Sequence, residues 1–385
     1  MQRSTERILT THAGSLPRPE DLWDLLLAKD AGQPYDREAF TRLVRGAVAE
    51  VVQQQRESGI DIINDGEESK RSFSTYARER LQGFEERRPT ADERPSMISG
   101  RDMQEFPEYF VSRGGFGGVS ANARQMFCNG PLTYIGHAAV QADIANFNTA
   151  LQDVTAAEAF LPAIAPGTIE HWMRNRYYPS DEAYLYAIAD AMREEYQAIV
   201  QAGFLLQIDD PDLLDAWQIH PHMSVPEYRK FAELRVEALN HALRDIPPER
   251  VRLHVCWGSY HGPHKYDIPL KDVVDLILKV HAQGYSIEAS NPRHDHEWRV
   301  WEEVKLPEGK VLIPGVVGHA TDFIEHPELV AERLVKYARL VGRENVIAGT
   351  DCGLGGRVGH PKIVWAKFEA LAEGARLATQ QLWGR

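Results

Sequence analysis

The sequence predicts a closed (β/α)8 barrel, a TIM barrel of the α/β class, on three observations. Short β-rich runs alternate along the chain with long amphipathic helical stretches, the pattern of βα units around a parallel sheet. Eight such runs can be picked out, the number such a barrel needs. Unusual polar residues then recur at the C-terminal ends of those runs, where a barrel gathers its catalytic side chains. The 385 residues would accommodate two domains, but α/β barrels often fill this length as one unit. A single barrel over residues 1–385 is therefore expected.

In chain order, strands are expected near residues 8–11, 60–64, 160–165, 205–209, 251–255, 286–288, 311–316 and 346–349. Helices are expected over residues 37–57, 181–202, 225–244, 270–283 and 327–341. Asp181-Glu182 and Pro327-Glu328 open two of them with the acidic or proline first turn typical of a helix start. The stretch from about 74 to 157 does not fit one βα unit. It carries the charge clusters Arg87-Arg88 and Asp92-Glu93-Arg94 and a glycine-rich piece at 114–118. Residues 127–134, Phe-Cys-Asn-Gly-Pro-Leu-Thr-Tyr, then read as a turn flanked by extended chain. A hairpin or loop excursion is expected here, either a lid over the barrel mouth or an interface decoration.

Composition excludes several classes. A net charge of -13 argues against nucleic acid or anionic membrane surfaces as partners. No apolar run reaches the roughly 18 residues needed to span a bilayer. Residues 1–7 lack the apolar core of a signal peptide, and three cysteines cannot make a disulfide framework. A reducing, cytoplasmic setting and small-molecule partners are expected, with a homo-oligomer left open.

The chemistry centres on His254-Val255-Cys256 and Cys352. Two residues apart on a strand, His254 and Cys256 project from one face, and Cys352 arrives from the eighth strand across the barrel mouth. Thiolates with an imidazole suit zinc, and three protein ligands with an open position make a catalytic site. Glu288, ending the sixth strand, is positioned to complete the resting tetrahedron. An isolated H-x-C pair is more often a buried cysteine beside a core histidine. Glu288 and Cys352 at further strand ends shift the balance to a metal. Zinc bound this way holds an incoming thiol as a nucleophilic thiolate, so an enzyme that alkylates sulfur is expected.

Four carboxylates, Glu67, Glu68, Asp209 and Asp210, end the second and fourth strands. Helix capping is the bland reading, and it suits Glu68 and Asp210. Glu67 and Asp209 are read instead as a pair that holds an ammonium group. His319 follows the seventh strand and is the candidate proton donor to a leaving group, with His264 as a second candidate acid. Six histidines, His261, His264, His281, His294, His296 and His326, lie in polar loops or helices and otherwise need no role.

These residues resemble the catalytic barrel of cobalamin-independent methionine synthase. The motifs are Thr11-His12-Ala13-Gly14-Ser15, Gly66-Glu67, Ala165-Pro166-Gly167 through Trp172, and Gln207-Ile208-Asp209-Asp210-Pro211. They continue with His254-Val255-Cys256, Ile287-Glu288-Ala289-Ser290, residues 315–319 and Asp351-Cys352-Gly353-Leu354, in family order over almost the whole chain. The resemblance implies that His254, Cys256, Glu288 and Cys352 bind zinc. It implies that Ser15, Glu67 and Asp209, at strand ends shared with His12, hold homocysteine. It also places Trp172 against a folate pterin, His319 as the proton donor, and Phe127-Cys128 in a hairpin touching the methyl donor.

Departures are equally specific. The long synthases carry a second, N-terminal barrel that has no counterpart in these 385 residues. Asp210 stands where the family has glutamate, and Asp215 replaces a glutamate expected at the pterin. The segment 258–264 resembles the short branch similar to epoxyalkane:coenzyme M transferase, which opens an epoxide with a zinc-bound thiolate. Coenzyme M carries a sulfonate and no amine, so Arg18, Lys70, Arg71 and Arg293 become candidates there. The expected function is methyl transfer to homocysteine, giving methionine, with epoxide opening as the alternative.

Overall fold

The computed structural model describes residues 1–90, 100–112 and 124–384. Its strands are β1 (Leu9–Thr10), β2 (Ile62–Ile63), β3 (Leu81–Arg87), β4 (Gln125–Tyr134), β5 (Glu158–Ile164), β6 (Met173–Asn175), β7 (Leu205–Asp209), β8 (Val251–Val255), β9 (Gly284–Ile287), β10 (Val311–Val317) and β11 (Ile347–Thr350). Eight of them form one parallel sheet in the order β1-β11-β10-β9-β8-β7-β5-β2. These are the eight expected barrel strands. The sheet curls until its edges meet: Asp61 N donates to Thr10 O (3.2 Å) and Thr11 Oγ1 to Ile62 O (3.0 Å). The result is a nearly closed (β/α)8 barrel.

Side chains alternate along each strand, so the interior is filled in layers. The lowest layer is apolar: Leu9, Ile62, Phe160, Leu205, Val311, Ile313 and Ile347 are buried together. Two residues higher on β7 and β8 stand Gln207 and Arg252, both fully buried. Two higher again come Asp209 and His254. The same alternation that packs the floor therefore lifts the polar residues to the C-terminal mouth.

Most outer helices begin where the sequence places a cap. Asp36 accepts from Glu38 N and Ala39 N (3.0 Å each) at the start of Arg37–Glu57. Ser180 accepts from Ala183 N (3.1 Å) before Asp181–Gln201. Ser224 and Glu227 form a capping box before Val225–Ala242. The helix expected over 270–283 is instead short: one 3-10 turn, Leu270–Asp272, then Val274–Ile277. Val273 leaves the helical region between them (φ -138°, ψ -10°). The Tyr285 hydroxyl lies among the carbonyls of Leu278, Val280 and Ala282 (3.3, 2.9 and 3.1 Å), and its single proton gives one of these chain-end carbonyls a partner without a further turn.

The 74–157 excursion contains a hairpin. β3 pairs antiparallel with β4, and β4 pairs parallel with β6, which follows the helix Pro166–Trp172. The turn expected within 127–134 takes the form of an irregularity inside the strand Gln125–Tyr134: Phe84 pairs with Cys128 and Gln82 with Thr133, so residues 129–132 stand opposite Gly83 alone. Gly83 makes this possible. At φ +112° a Cβ there would lie 2.8 Å from Pro131 O, so the irregularity is absorbed as a bulge. Buried Glu195 accepts from the Tyr76 and Tyr134 hydroxyls (2.9 and 2.6 Å), bolting the hairpin to the barrel wall. The cluster Asp92-Glu93-Arg94 and the glycine-rich piece at 114–118 lie outside the described residues. Among the described residues, no helix is long and apolar enough to cross a membrane.

Candidate active site

β8 delivers His254 and Cys256 to one face, and Cys352 follows β11. Their ligand atoms lie within 4.8 Å of one another, buried or nearly so. His254 Nδ1 faces Ser286 Oγ on β9 at 3.2 Å, while its Nε2 is buried with no hydrogen-bond partner. With the proton on Nδ1, Nε2 presents a bare lone pair to the two sulfurs. An unpartnered buried acceptor is costly unless something takes it up. A hydrogen bond from Cys256 holds the Cys352 thiol well below its usual range, and the same sharing, with burial, pushes Cys256 up. This soft N/S donor set fits zinc.

Glu288 stands beside this trio, not within it. Its Oε2 accepts from Trp257 N (2.8 Å) and its Oε1 from Asn291 Nδ2 (3.1 Å). It clusters with His319 and Asp351, their ligand atoms also within 4.8 Å. Asp351 is spoken for by protein donors: Oδ1 accepts from Ala289 N and Ser290 N (2.8 Å each), and Oδ2 from Ser290 Oγ (2.6 Å). Burial pushes its carboxyl up to about 7, with Glu288 adding to the rise and His319 opposing it. His319 is 2% exposed, and its Nδ1 has no partner.

The expected carboxylate pair faces the same mouth. Glu67 sits in a tight loop after β2 at φ +58°, a strained setting for a non-glycine residue. Its Oε2 is buried and unpartnered. Room for it comes from Gly14, where a Cβ would stand 2.6 Å from Glu67 Oε1. Burial first, then the like charge of Asp209, lifts Glu67 to about 8. Burial lifts Asp209 to about 6, against the pull of His254 and a 2.7 Å hydrogen bond from Gln207 Nε2. Two buried carboxyls that repel, with Lys70 acting on both and Arg18 on Glu67 yet no direct ion pair to either among the described residues, suit an incoming ammonium. Ser15 Oγ lies beside them, accepting from Arg18 Nη1 at 3.2 Å.

His12 is placed otherwise than expected. Its Nε2 meets Gln55 Oε1 (2.7 Å), and its Nδ1 accepts from Gly14 N (3.3 Å). Its ring packs on Phe160 and Phe368, and burial drops its pKa to about 3. Both nitrogens are occupied and the ring is neutral, so His12 shapes the loop that carries Ser15 and does not reach the mouth. On the opposite side, Trp172 Nε1 donates to Asp212 Oδ2 (3.1 Å), which fixes the indole. Asp215 is half-buried, with its Oδ1 out of solvent and unpartnered, backed by Gly258, where a Cβ would lie 2.9 Å from its carboxylate.

Comparison with known proteins now bears on these strand ends. Residues 122–371 match the model of the family described as cobalamin-independent synthase, catalytic domain. The chain belongs to that family. Methionine synthase of Thermococcus kodakarensis is 23% identical over 374 residues, covering 97% of this chain and 94% of that protein. The methionine synthase of Saccharolobus solfataricus is 25% identical over 382 residues, covering 97% and 95%. Among solved structures, the B12-independent methionine synthase of a Shewanella species superposes with a TM-score of 0.73 at 20% identity, covering 98% of this chain and all of that one. A Listeria monocytogenes protein described as a putative vitamin-B12-independent methionine synthase gives 0.66 at 17%, covering 96% and 98%.

Within this cobalamin-independent synthase barrel, several residues escaped sequence reasoning. His264 and His294 are not polar-loop histidines but buried ones. Asp267 Oδ2 bridges them (2.7 Å to His264 Nδ1, 3.0 Å to His294 Nε2), and Trp257 stacks on His294 with centroids 3.6 Å apart. Arg252 is fully buried beneath the site, donating to Thr11 Oγ1 (2.8 Å) and His12 O (2.9 Å). Arg18, a candidate for a sulfonate in the alternative reading, donates instead to Ser15 Oγ and to Glu67 O (2.7 Å) and so ties two strand-end loops together. The signal for Arg252 was present in the alternation Arg252, His254, Cys256 along one strand face.

Proposed function

We propose that residues 1–385 form one zinc-dependent thiol alkyltransferase unit that moves a methyl group to homocysteine, giving methionine. The observation that carries this is the meeting of His254 Nε2, Cys256 and Cys352 in the same barrel mouth as the buried carboxyls of Asp209 and of Glu67, whose Oε2 has no partner. Relatives named methionine synthase, matched over nearly their whole length, support the same reading. So does a structural neighbour solved in complex with selenomethionine.

His254, Cys256 and Cys352 would hold the zinc, with Glu288 beside them, and a zinc there would supply the chemistry that keeps the acceptor sulfur ionised at neutral pH. Glu67 and Asp209 take the acceptor's ammonium, and Ser15 orients its carboxylate. Trp172, pinned by Asp212, offers a flat face to the methyl donor, a methyl-folate. The acceptor sulfur attacks the methyl carbon in line as the carbon–nitrogen bond of the donor breaks. His319 delivers the proton that the departing nitrogen needs. Holding both reactants in line contributes on the order of 7–11 kcal/mol at best. Glu67 and Asp209 favour an amine-bearing thiol over coenzyme M, whose sulfonate they would repel.

The test is a pair of assays on zinc-loaded protein. Methyl-folate with homocysteine is expected to give methionine, and epoxypropane with coenzyme M no ring-opened thioether. The reverse pattern overturns the assignment of acceptor and donor while leaving the metal reading intact.

A further inference from the structure

We propose that Asp351 is a positioning residue for the metal centre, a carboxylate tie that fixes the end of β9, which carries Glu288, against the end of β11, which carries Cys352. The proposal rests on the zinc reading above. β9 and β11 are not neighbours, because β10 lies between them. No ladder hydrogen bond can set the distance between Glu288 and Cys352. Asp351 sets it directly. Its backbone N donates to Val317 O on β10 (2.9 Å), while its side chain crosses β10 to reach β9. There Oδ1 takes Ala289 N and Ser290 N, and Oδ2 takes Ser290 Oγ, at 2.8, 2.8 and 2.6 Å.

β10 is built to let the side chain through. At Gly315 a Cβ would stand 2.3 Å from Asp351 Oδ1 and 2.6 Å from its Cα, so no side chain fits at the crossing. The β10–β11 register also shifts between Gly315 and Val317, which opens the ladder at the same point. Every donor that Asp351 meets belongs to the residues directly after Glu288. Such partners orient metal ligands, and losing them typically weakens metal affinity about 10–100-fold.

The test compares wild type, Asp351→Ala, Asp351→Asn and Ser290→Ala. Zinc affinity is measured by competition with a chromogenic chelator, ligand geometry by the visible spectrum of the cobalt-substituted proteins, and folding by thermal melts. Asp351→Ala is expected to lose about 10–100-fold in affinity and to broaden the cobalt bands, with a cooperative melt retained. Asp351→Asn keeps an oxygen for the two N–H groups and is expected to retain most of the affinity. Ser290→Ala, which removes one bond, falls between wild type and Asp351→Ala, and it carries the test if Asp351→Ala does not fold. Unchanged affinity and spectra in Asp351→Ala and Ser290→Ala overturn the tie. A loss in Asp351→Asn as large as in Asp351→Ala also overturns it, because charge and not the tie would then be responsible. Two zinc ions per wild-type chain, one of them lost in Asp351→Ala, make Asp351 a ligand and overturn it too. A wild type that binds no zinc overturns the underlying reading instead.

Discussion

Replacing Glu67 with glutamine probes the acceptor pocket most sharply, because Gln keeps the shape and removes the charge. In the free protein, burial and Asp209 raise Glu67 from 4.5 to about 8, an upper bound of roughly 5 kcal/mol at 1.36 kcal/mol per unit. The folded value lies above the unfolded one. The protonated acid therefore contributes stability that is complete below the unfolded value and is lost as pH rises through the folded one. Urea unfolding between about pH 5 and pH 9 should show wild type losing ground to Glu67→Gln as pH rises, by several kcal/mol at most. An arriving ammonium must displace the Glu67 proton. Calorimetry near neutral pH in buffers of different ionisation enthalpy should thus record about one more proton released per homocysteine in wild type than in the variant, on top of the thiol proton that both release. Losing one charged hydrogen bond, worth about 1.5–3 kcal/mol, should weaken acceptor binding by about 10–100-fold. Parallel stability curves with equal acceptor affinity would refute the assignment of Glu67.

Three further outcomes follow from the same geometry. His319→Asn should lower methyl transfer by about 10²–10⁴-fold, the usual worth of a positioned acid, while zinc content and acceptor affinity stay unchanged. Gly14→Ala places a Cβ 2.6 Å from Glu67 Oε1 at φ +142°; it should raise the KM for homocysteine more than it lowers kcat, with about 1–3 kcal/mol of strain visible in denaturation. Arg252→Met removes both donors from the layer above the apolar floor and should cost about 1–3 kcal/mol in urea unfolding, because Thr11 Oγ1 and His12 O are left without them.

Where residues are buried by their own strand pattern, the sequence reads through to the structure. β7 and β8 run Leu205–Asp209 and Val251–Val255 as expected, because strands covered on both faces form short, dense apolar runs. β1 and β2 shrink to two residues each, since the Asp61 side chain takes Thr10 N and competes with the ladder there. The meeting of His254, Cys256 and Cys352 was legible because residue type and two-residue spacing already point the three to one place. Partners from across the barrel were not. Nothing local to His12 reveals Gln55, nothing beside His294 reveals Asp267, and the reach of Asp351 depends on a glycine in a different strand. Glu288 shows the same limit: its strand end was right, yet the Trp257 amide and Asn291 hold its carboxylate beside the sulfurs.

The central claim is that the acceptor's sulfur joins a zinc ion held by His254, Cys256 and Cys352. X-ray absorption at the zinc edge, recorded on protein with and without homocysteine, addresses it directly. One zinc per chain is expected, with one additional sulfur at about 2.3 Å when homocysteine is present. An unchanged metal shell on adding homocysteine, or Cys352→Ser protein that binds zinc and turns over like wild type, would contradict it.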